Sequence, residues 1–345
     1  MRKFLLLILI LMGADARISA QTSTTVYQAF VSNDALDRLT FIDVLTGAQT
    51  TFDFNGDRYL LLEDGVMFFD YAVNRVRMAA PNGALRDHPF VQLEGDARRI
   101  DWLVHGDQVA WTLTSGTYPA LVTTTWVANR DGSNRREVLA DSTGEGVRAF
   151  PVALDETHLY LDYQPDSIGD ITPFRQYAAL FSVDLTTGET QPLPGEPGCF
   201  CGAAIGAGRL IRLTLAANLN GFDVRVVDLA TGTQTVLPSL GVYTQGGDVL
   251  IAPDGLSAVY ALGEITNFGT TSQRLRTVIA LIDLTTMTQR VLVPAVDRQL
   301  RPLGFTDGAL LLFDPGANRT FKADLSTGTL AAVSQAQYLG TVQNS

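Results

Sequence analysis

The 345-residue sequence is poor in cysteine, lysine and histidine, with two, two and three copies respectively. Two cysteines are too few for the disulfide framework of a small secreted domain. The formal net charge of −11 is opposite in sign to the basic footprint of a nucleic-acid binder, so we expect no nucleic-acid partner. Hydrophobic residues make up 46% of the chain and charged residues 18%, which excludes intrinsic disorder. No apolar run reaches the roughly 20 residues of a membrane-spanning helix, so we expect no transmembrane helix in the mature chain.

The N-terminus has the three parts of a secretory signal peptide. Arg2 and Lys3 supply positive charge, residues 4–14 are apolar, and small residues before position 21 fit a cleavage site. An uncleaved membrane anchor is the alternative, but the apolar run covers only about 16 Å as a helix, half of a bilayer core. We therefore predict that residues 1–20 are a signal peptide and that residues 21–345 form one exported domain, periplasmic or extracellular.

A short turn pattern recurs along the rest of the chain: Asp, then Leu or Val, then two residues that usually end in Thr, then Gly. The copies lie at residues 43–47, 184–188, 228–232 and 324–328, with a variant at 283–287 that has Met in place of Gly. Asp and Thr side chains bond nearby backbone N–H groups in turns, and Gly adopts positive φ at little cost. The flanking runs are rich in β-branched and aromatic residues, so each copy predicts a β-hairpin.

The spacing of these turns predicts the fold. From Asp43 to Asp324 the chain advances 281 residues over six intervals, about 47 residues each, which is the period of four-stranded propeller blades. Further turns between the copies, such as 253–255, indicate four strands per unit and seven blades. The run at 338–342 has no blade of its own, so we expect it to pair in the first blade and close the ring. Six blades is the alternative, if region 58–97 is not a full blade.

Two segments carry a family resemblance. Residues 253–260 (PDGLSAVY) and 129–136 (NRDGSNRR) resemble turn signatures of TolB-like, or WD40-like, β-propeller repeats. The resemblance covers the mature chain as a periodic pattern and implies an all-β propeller. Related propellers bind proteins or form a gating domain beside a peptidase. Because the signature specifies a tight turn rather than a reaction, it assigns no functional residue.

Cys199 and Cys201 are separated by one residue. On an extended strand their Cα atoms lie nearly 7 Å apart, the outer limit for a disulfide. The neighbouring Pro197, Gly198 and Gly202 allow a tighter turn, and an oxidising compartment favours a bond. A disulfide, two buried thiols, and a metal or redox role all remain open, although two sulfurs without a nearby His are too few for a structural zinc site.

The sequence offers no convincing catalytic set. His88, His105 and His158 lack zinc-motif spacing. Residues 255–259 miss the last Gly of a nucleophile elbow. Residues 166–170 carry carboxylates but lack the spacing of a calcium-binding loop, so a solvated loop is favoured. We predict no cofactor, no metal and no enzymatic activity.

Long connections join the second and third strands of two predicted blades, at residues 164–176 in blade four and 263–276 in blade six, with a shorter insertion at 115–119 in blade three. Because they join the same strand pair, we expect them on one face of the disc. Loops carry function more often than cores do, so this face is the candidate interaction surface, and tolerated loop variation is the alternative. The candidate residues are Asp166, Asp170, Arg175, Glu264, Asn267 and Arg274.

Together these features predict a monomeric, non-catalytic propeller that binds a protein or a small ligand through the loop-rich face or the channel mouth. One alternative is a calcium-dependent hydrolase or lactonase with acidic channel residues, since propeller enzymes gather ligands from several blades. The other alternative is a structural component of the cell envelope.

Overall fold

The computed structural model describes residues 25–33, 35–142, 144–166, 173–194, 201–267 and 270–344. These residues form 28 β-strands in seven antiparallel sheets of four strands each. The predicted signal peptide, Asp170 and Cys199 lie outside the described residues. Within the described ranges, no helix has the length and apolar character needed to cross a membrane.

The strands follow one another in chain order. The first fourteen are β1 (Thr25–Asn33), β2 (Asp37–Asp43), β3 (Gln49–Phe54), β4 (Gly56–Leu62), β5 (Gly65–Asp70), β6 (Arg75–Ala79), β7 (Leu85–Asp87), β8 (Arg99–His105), β9 (Gln108–Thr117), β10 (Ala120–Asn129), β11 (Arg136–Asp141), β12 (Val147–Leu154), β13 (His158–Pro165) and β14 (Leu180–Asp184). The others are β15 (Thr190–Pro192), β16 (Ala203–Gly206), β17 (Arg209–Leu215), β18 (Phe222–Asp228), β19 (Gln234–Leu237), β20 (Gln245–Ile251), β21 (Ser257–Thr266), β22 (Arg274–Asp283), β23 (Thr288–Val296), β24 (Arg301–Thr306), β25 (Ala309–Asp314), β26 (Arg319–Asp324), β27 (Leu330–Ser334) and β28 (Gln337–Asn344).

Each sheet is one propeller blade, and we call its strands A to D from the axis outwards. Blades two to seven each use four consecutive strands, beginning with β4, β8, β12, β16, β20 and β24. Blade one has the order β28-β1-β2-β3, and β28 pairs with β1 from Thr25↔Asn344 to Val31↔Gln337. The prediction of seven blades closed by the C-terminal strand is confirmed. The six-blade alternative is wrong, because β4 to β7 form a complete sheet.

The B strands are buried on both faces because each blade stacks between two neighbours. Every residue of β5 is buried, and β9 and β21 are buried over most of their length. The core therefore lies between blades. Between blades one and two, for example, Phe54 stacks on Phe68 with ring centroids 4.1 Å apart. Burial of each such ring contributes about 2–3 kcal/mol, so the packed blades position the inner strands firmly.

The recurring Asp turns join strands C and D, as their composition predicted. In the last copy, Oδ1 of Asp324 accepts hydrogen bonds from the N–H groups of Ser326 (2.9 Å) and Thr327 (2.8 Å). The hydroxyl of Ser326, together with these backbone donors, lowers the pKa of Asp324 to about 2. Gly328 follows with φ of 73°. In the variant copy Met287 occupies the same left-handed position with φ of 50°, a conformation that is costly for a residue with a side chain.

Two of the expected insertions are not loops but projecting hairpins. In blade three, β9 runs to Thr117 and β10 begins at Ala120, which leaves almost no connection. In blade six the pairing of β21 with β22 continues through Glu264↔Arg276 to Thr266↔Arg274. The prediction of a loop was wrong in blade six because Glu264 to Thr266 and Arg274 to Arg276 are all exposed or half-buried, so no burial pattern marks these ends of the strands. A cross-strand ion pair between Glu264 and Arg276, 3.6 Å apart, adds to the pairing.

Candidate functional site

The connections from B to C and from D to A emerge on one face of the disc, which we call the loop face. A cavity of about 1260 Å³ lies on the axis at this face. Its walls come from the A strands β4, β8, β12 and β24, from the blade-six hairpin and from the connection between blades six and seven. The predicted interaction face therefore carries a built cavity as well as loops.

One wall of the cavity is organised around Asp101 on β8. Its carboxylate receives Arg58 at 3.3 Å, Arg99 at 3.1 Å and Arg148 at 2.9 Å, from the A strands of blades two, three and four. Burial acts to raise the pKa of Asp101, but the surrounding arginines outweigh it and hold the pKa below its usual range. The carboxylate of Asp101 is therefore ionised at neutral pH. We call Asp101 and the three arginines the Asp101 wall.

Arg58 is held in a strained backbone conformation. Its φ is 56°, and it lies in an irregularity of the β4–β5 pairing between Asp57 and Leu60. The guanidinium lies over the rings of Phe69 and Trp102, at 5.0 and 5.2 Å from their centroids. Bulges re-aim side chains, and strain of about 1–3 kcal/mol persists where the surrounding structure enforces it. The fold thus fixes this cation at the cavity wall.

Arg148 is the most buried cation of the wall, with 8% of its side chain exposed. Burial lowers its pKa from the ordinary arginine value. Its Nε lies 3.3 Å from Asp166, which also pairs with Arg98 at 2.7 Å. Asp166, one of the predicted interaction residues, therefore supports the wall from behind and is itself largely buried.

The opposite wall comes from blades six and seven, and we call Arg274, Arg298 and Arg301 the outer wall. Arg301 makes two hydrogen bonds to Asp248, at 2.8 and 2.9 Å. Arg298 is 3.7 Å from the buried Asp314. Arg274 forms no ion pair with any carboxylate among the described residues. Arg274 and Arg298 therefore present guanidinium groups to the cavity whose donors are only partly used by the described residues.

Residues 173–177 form a strap across the inner strands. The backbone of Tyr177 bridges to Cys201 at the entrance to blade five, with N–H···O distances of 2.8 and 3.0 Å. The side-chain amide of Gln176 donates to the carbonyl of Gly246 in blade six at 2.9 Å. The strap thus leaves blade four and passes over its neighbours rather than projecting into solvent.

The strap also contacts blade six and the connection between blades six and seven. The N–H of Arg175 donates to Oδ1 of Asp248 at 2.8 Å, and the side chain of Gln299 donates to the carbonyl of Pro173. Phe174 is 2% exposed and packs in the core between blades six and seven. The described part of the predicted blade-four interaction loop is therefore docked on the protein, and Arg175 lines the cavity.

A buried carboxylate holds the exit of the strap. Asp162 on β13 is fully buried and accepts hydrogen bonds from the N–H groups of Ala178 (3.1 Å) and Ala179 (2.7 Å). Gln164, two residues further on, donates to the carbonyl of Gln176 at 2.9 Å. Burial raises the pKa of Asp162 to about 6, although the backbone donors act in the opposite direction. Sequence reasoning missed this residue, because nothing local marks it as an anchor.

The cavity lining is unusually rich in arginine for an acidic chain. It contains seven arginines and three aspartates, and Asp166, Asp248 and Asp314 pair with the arginines from behind. Seven arginines against six aspartates leave one excess positive charge, whereas the whole chain has a net charge of −11. The acidic excess therefore lies elsewhere on the molecule.

Asn267, the cysteine pair and the metal-free prediction have different outcomes in the structure. Asn267 lies at the tip of the blade-six hairpin, with φ of 54°. Cys201 carries no free thiol, but Cys199 lies outside the described residues, so the Cys199–Cys201 bond stays a prediction. Across the ranges that the structure describes, no group of three or more His, Cys, Asp or Glu is placed to hold a metal ion. The calcium-dependent hydrolase alternative predicts acidic residues in the channel, whereas arginines outnumber aspartates in the cavity lining. That alternative stays a hypothesis.

The architecture defines a seven-bladed β-propeller with an arginine-rich axial cavity. No protein-family model matches the chain, and no curated protein matches it. Similar solved structures include a prolyl endopeptidase, with a TM-score of 0.59 and 11% identity over 90% of this chain and 50% of that chain. TolB from Acinetobacter baumannii has a TM-score of 0.43 and 11% identity over 93% of this chain and 82% of that chain. A chain of the nidogen/laminin complex has a TM-score of 0.42 and 11% identity over 93% of this chain and 98% of that chain. This chain spans half of the endopeptidase chain. At such identities the likeness extends to the propeller fold alone, so the resemblance to TolB-like propellers is structural and no sequence family is assigned.

Proposed function

We propose that the protein is a non-catalytic binding module that holds a ligand in the axial cavity of the loop face. The observation that carries the proposal is the cavity itself, about 1260 Å³ in volume with walls from five blades. Ligand pockets typically have about 300–1,000 Å³, so the space suits a sizeable ligand. Most of the charged lining sits on strands rather than free loops, which fixes its geometry before binding.

The charge states of the lining favour binding over catalysis. Arginine stays protonated at physiological pH and therefore does not serve as a general acid or base. The pKa of Asp101 lies below its usual range, so this group holds no proton to donate near neutral pH. The described lining thus offers fixed charges and hydrogen-bond donors, which suit recognition.

The predicted signal peptide extends the proposal to location. An exported binding module meets its ligand in the periplasm or outside the cell. An acidic net charge of −11 favours solubility in that setting.

The test is recovery of the ligand with the protein. The tagged protein is purified from its own cells and weighed by native mass spectrometry, alongside Ile265→Trp, which places bulk at the cavity edge. Val236→Trp is the matched control, because Val236 is 53% exposed on an outer strand away from the cavity. We expect a bound mass on the wild type and the control that is lost from Ile265→Trp.

Two results contradict the proposal. Equal occupancy of all three proteins would place the ligand elsewhere. Recovery of a ligand that the wild type converts to a new product on incubation would mean that the protein is an enzyme, as the hydrolase hypothesis states.

A further inference from the structure

We infer that the ligand is a multiply charged anion whose carboxylate or phosphate groups are held by the two arginine walls. The inference rests on the proposed function and names the chemistry of its ligand. It depends on four observations: the unused donors of the Asp101 wall, the unused donors of Arg274 and Arg298 in the outer wall, the charge contrast with the rest of the chain, and the placement of the walls across the axis.

The Asp101 wall has more donors than its carboxylate can use. Each guanidinium has five N–H donors, and a carboxylate has about four acceptor positions. Arg58, Arg99 and Arg148 together therefore carry far more donors than Asp101 can satisfy. Arg99 is 43% exposed, so its side chain is open to an incoming acceptor. Asp57 and the carbonyl of Ile100 accept from Arg58, and Asp166 pairs with Arg148. Arg99 bonds only Asp101 among the described residues, so a second anion at this wall would complete its unmade hydrogen bonds.

The outer wall has a matching shortage of acceptors. The 3.7 Å separation of Arg298 and Asp314 is too long for a hydrogen bond. The guanidinium of Arg298 instead lies over the ring of Phe321, 5.3 Å from its centroid. Arg274, on the blade-six hairpin, has no carboxylate partner within the described part of the chain. Both side chains line the cavity, so their donors are available to a ligand.

The charge distribution favours an anion over a neutral ligand or a cation. The chain has 36 acidic and 25 basic residues, yet seven arginines and three aspartates line the cavity. The planar guanidinium matches carboxylate and phosphate oxygens with two parallel hydrogen bonds, which a neutral ligand cannot reproduce. Burial of Arg148 adds to this preference, because a poorly hydrated cation gains more from a new anionic partner.

The placement of the walls indicates more than one anionic group. The Asp101 wall belongs to blades two to four, and the outer wall belongs to blades six and seven on the other side of the axis. Arg175 of the strap adds a further guanidinium to the cavity lining. A ligand that contacts both walls needs a negative group at each end, so a polyvalent anion fits better than a monovalent one.

The closing experiment measures binding of defined probes to the mature protein by isothermal titration calorimetry. The probes are citrate, pyrophosphate, acetate and the uncharged sugar maltotriose, each at about 20 and about 150 mM salt. We expect citrate or pyrophosphate to bind, with weaker binding at the higher salt, and acetate and maltotriose to bind much less. Which of the two binds more tightly distinguishes a carboxylate site from a phosphate site.

Variants then assign the binding to the two walls. Arg99→Gln and Arg274→Gln, one on each wall, should each weaken binding about fivefold to tenfold, and Arg274→Glu should weaken it further. Arg86→Gln is the control, because Arg86 is an exposed arginine paired with Asp64 at 3.1 Å outside the cavity. We expect it to bind as the wild type does, and circular dichroism confirms that each variant is folded.

The outcomes separate the two proposals. If citrate and pyrophosphate do not bind, or bind equally to the wall variants, the inference is wrong. In that case the proposed binding function still holds if maltotriose binds, or if a neutral molecule co-purifies with the wild type and is lost from Ile265→Trp. Only the inference of an anionic ligand is then wrong. If no probe binds and no ligand co-purifies, both proposals fail.

Discussion

Asp162 should make the stability of the propeller depend on pH in a direction opposite to that of most carboxylates. The residue is fully buried beneath the strap, and burial raises its pKa from 3.8 to about 6. The perturbation is Asp162→Asn, which keeps the shape of the side chain and removes the titrating proton.

The sign follows from proton binding. Between about pH 4 and pH 6 the folded protein keeps the proton of Asp162, whereas the unfolded chain has released it. The stabilisation is therefore fully present below the unfolded pKa and is lost as the pH rises through the folded pKa. A shift of about two pKa units corresponds to about 3 kcal/mol, which is a large fraction of the stability of a typical domain.

The assay is urea unfolding of the wild type and Asp162→Asn at pH 4, 5, 6 and 7. We expect the free energy of unfolding of the wild type to fall by about 2–2.5 kcal/mol relative to the variant over this range, because the rest of the change lies below pH 4. The turn aspartates, such as Asp324, have lowered pKa values and act in the opposite direction. They are present in both proteins, so the difference cancels their contribution. Asp96→Asn, at an exposed position, is the matched control.

A difference that stays constant with pH would refute the reasoning. It would mean that the backbone donors at Ala178 and Ala179, with the charge of Arg212, stabilise the carboxylate as well as water does. A difference that moves in favour of the wild type as the pH rises would mean that these groups outweigh burial.

The remaining predictions concern turns, charges and packing. Met287→Gly should raise the free energy of unfolding by about 1 kcal/mol, because Gly tolerates the left-handed backbone; a loss in urea unfolding would mean that the packing of Met287 matters more. Asp101→Asn should lower the free energy of unfolding by about 3 kcal/mol, because it leaves three guanidinium groups around a neutral partner. A thermal melt would show the loss, and an unchanged melting temperature would contradict the prediction. Phe174→Ala should lower the free energy of unfolding by about 3–5 kcal/mol and make the strap accessible to limited proteolysis. If the strap is only loosely docked, neither the stability nor the proteolysis pattern would change. Deletion of residues 337–344 should abolish the cooperative unfolding transition, because β1 loses the inner of its two partner strands and the ring is no longer closed; a sharp transition in the truncated protein would exclude closure as the source of cooperativity.

The blade count and the ring closure could be predicted because their signals are local. Each C–D turn is specified by an Asp that bonds the next backbone N–H groups and by a residue at positive φ, all within five positions. The count of turns then fixes the number of blades. The leftover strand at 338–342 has one place to pair, because a propeller leaves no long open edge.

The cavity could not be predicted because its parts are single residues on separate strands. Arg58, Arg99 and Arg148 each occupy an ordinary strand position, and only the ring brings them to one carboxylate. Arg175 and Arg274 were singled out as loop residues, yet one lies on the docked strap and the other at the start of β22. No local pattern marks a contact between distant blades, so the sequence predicts a free loop where the structure has a docked strap.

The strap also constrains when the molecule can be completed. The hydrogen bond from Gln299 to Pro173 joins residues 126 positions apart, and β1 waits for β28 at the far end of the chain. A nascent chain that emerges N-terminus first therefore leaves blade one and the rim of blade four unfinished until its last quarter is available. Such distant contacts carry a high entropic cost of loop closure and slow the search for the native topology. The ring and its strap make this propeller a late-closing fold, in which blade one must persist with an open edge at β1 until the final strand arrives.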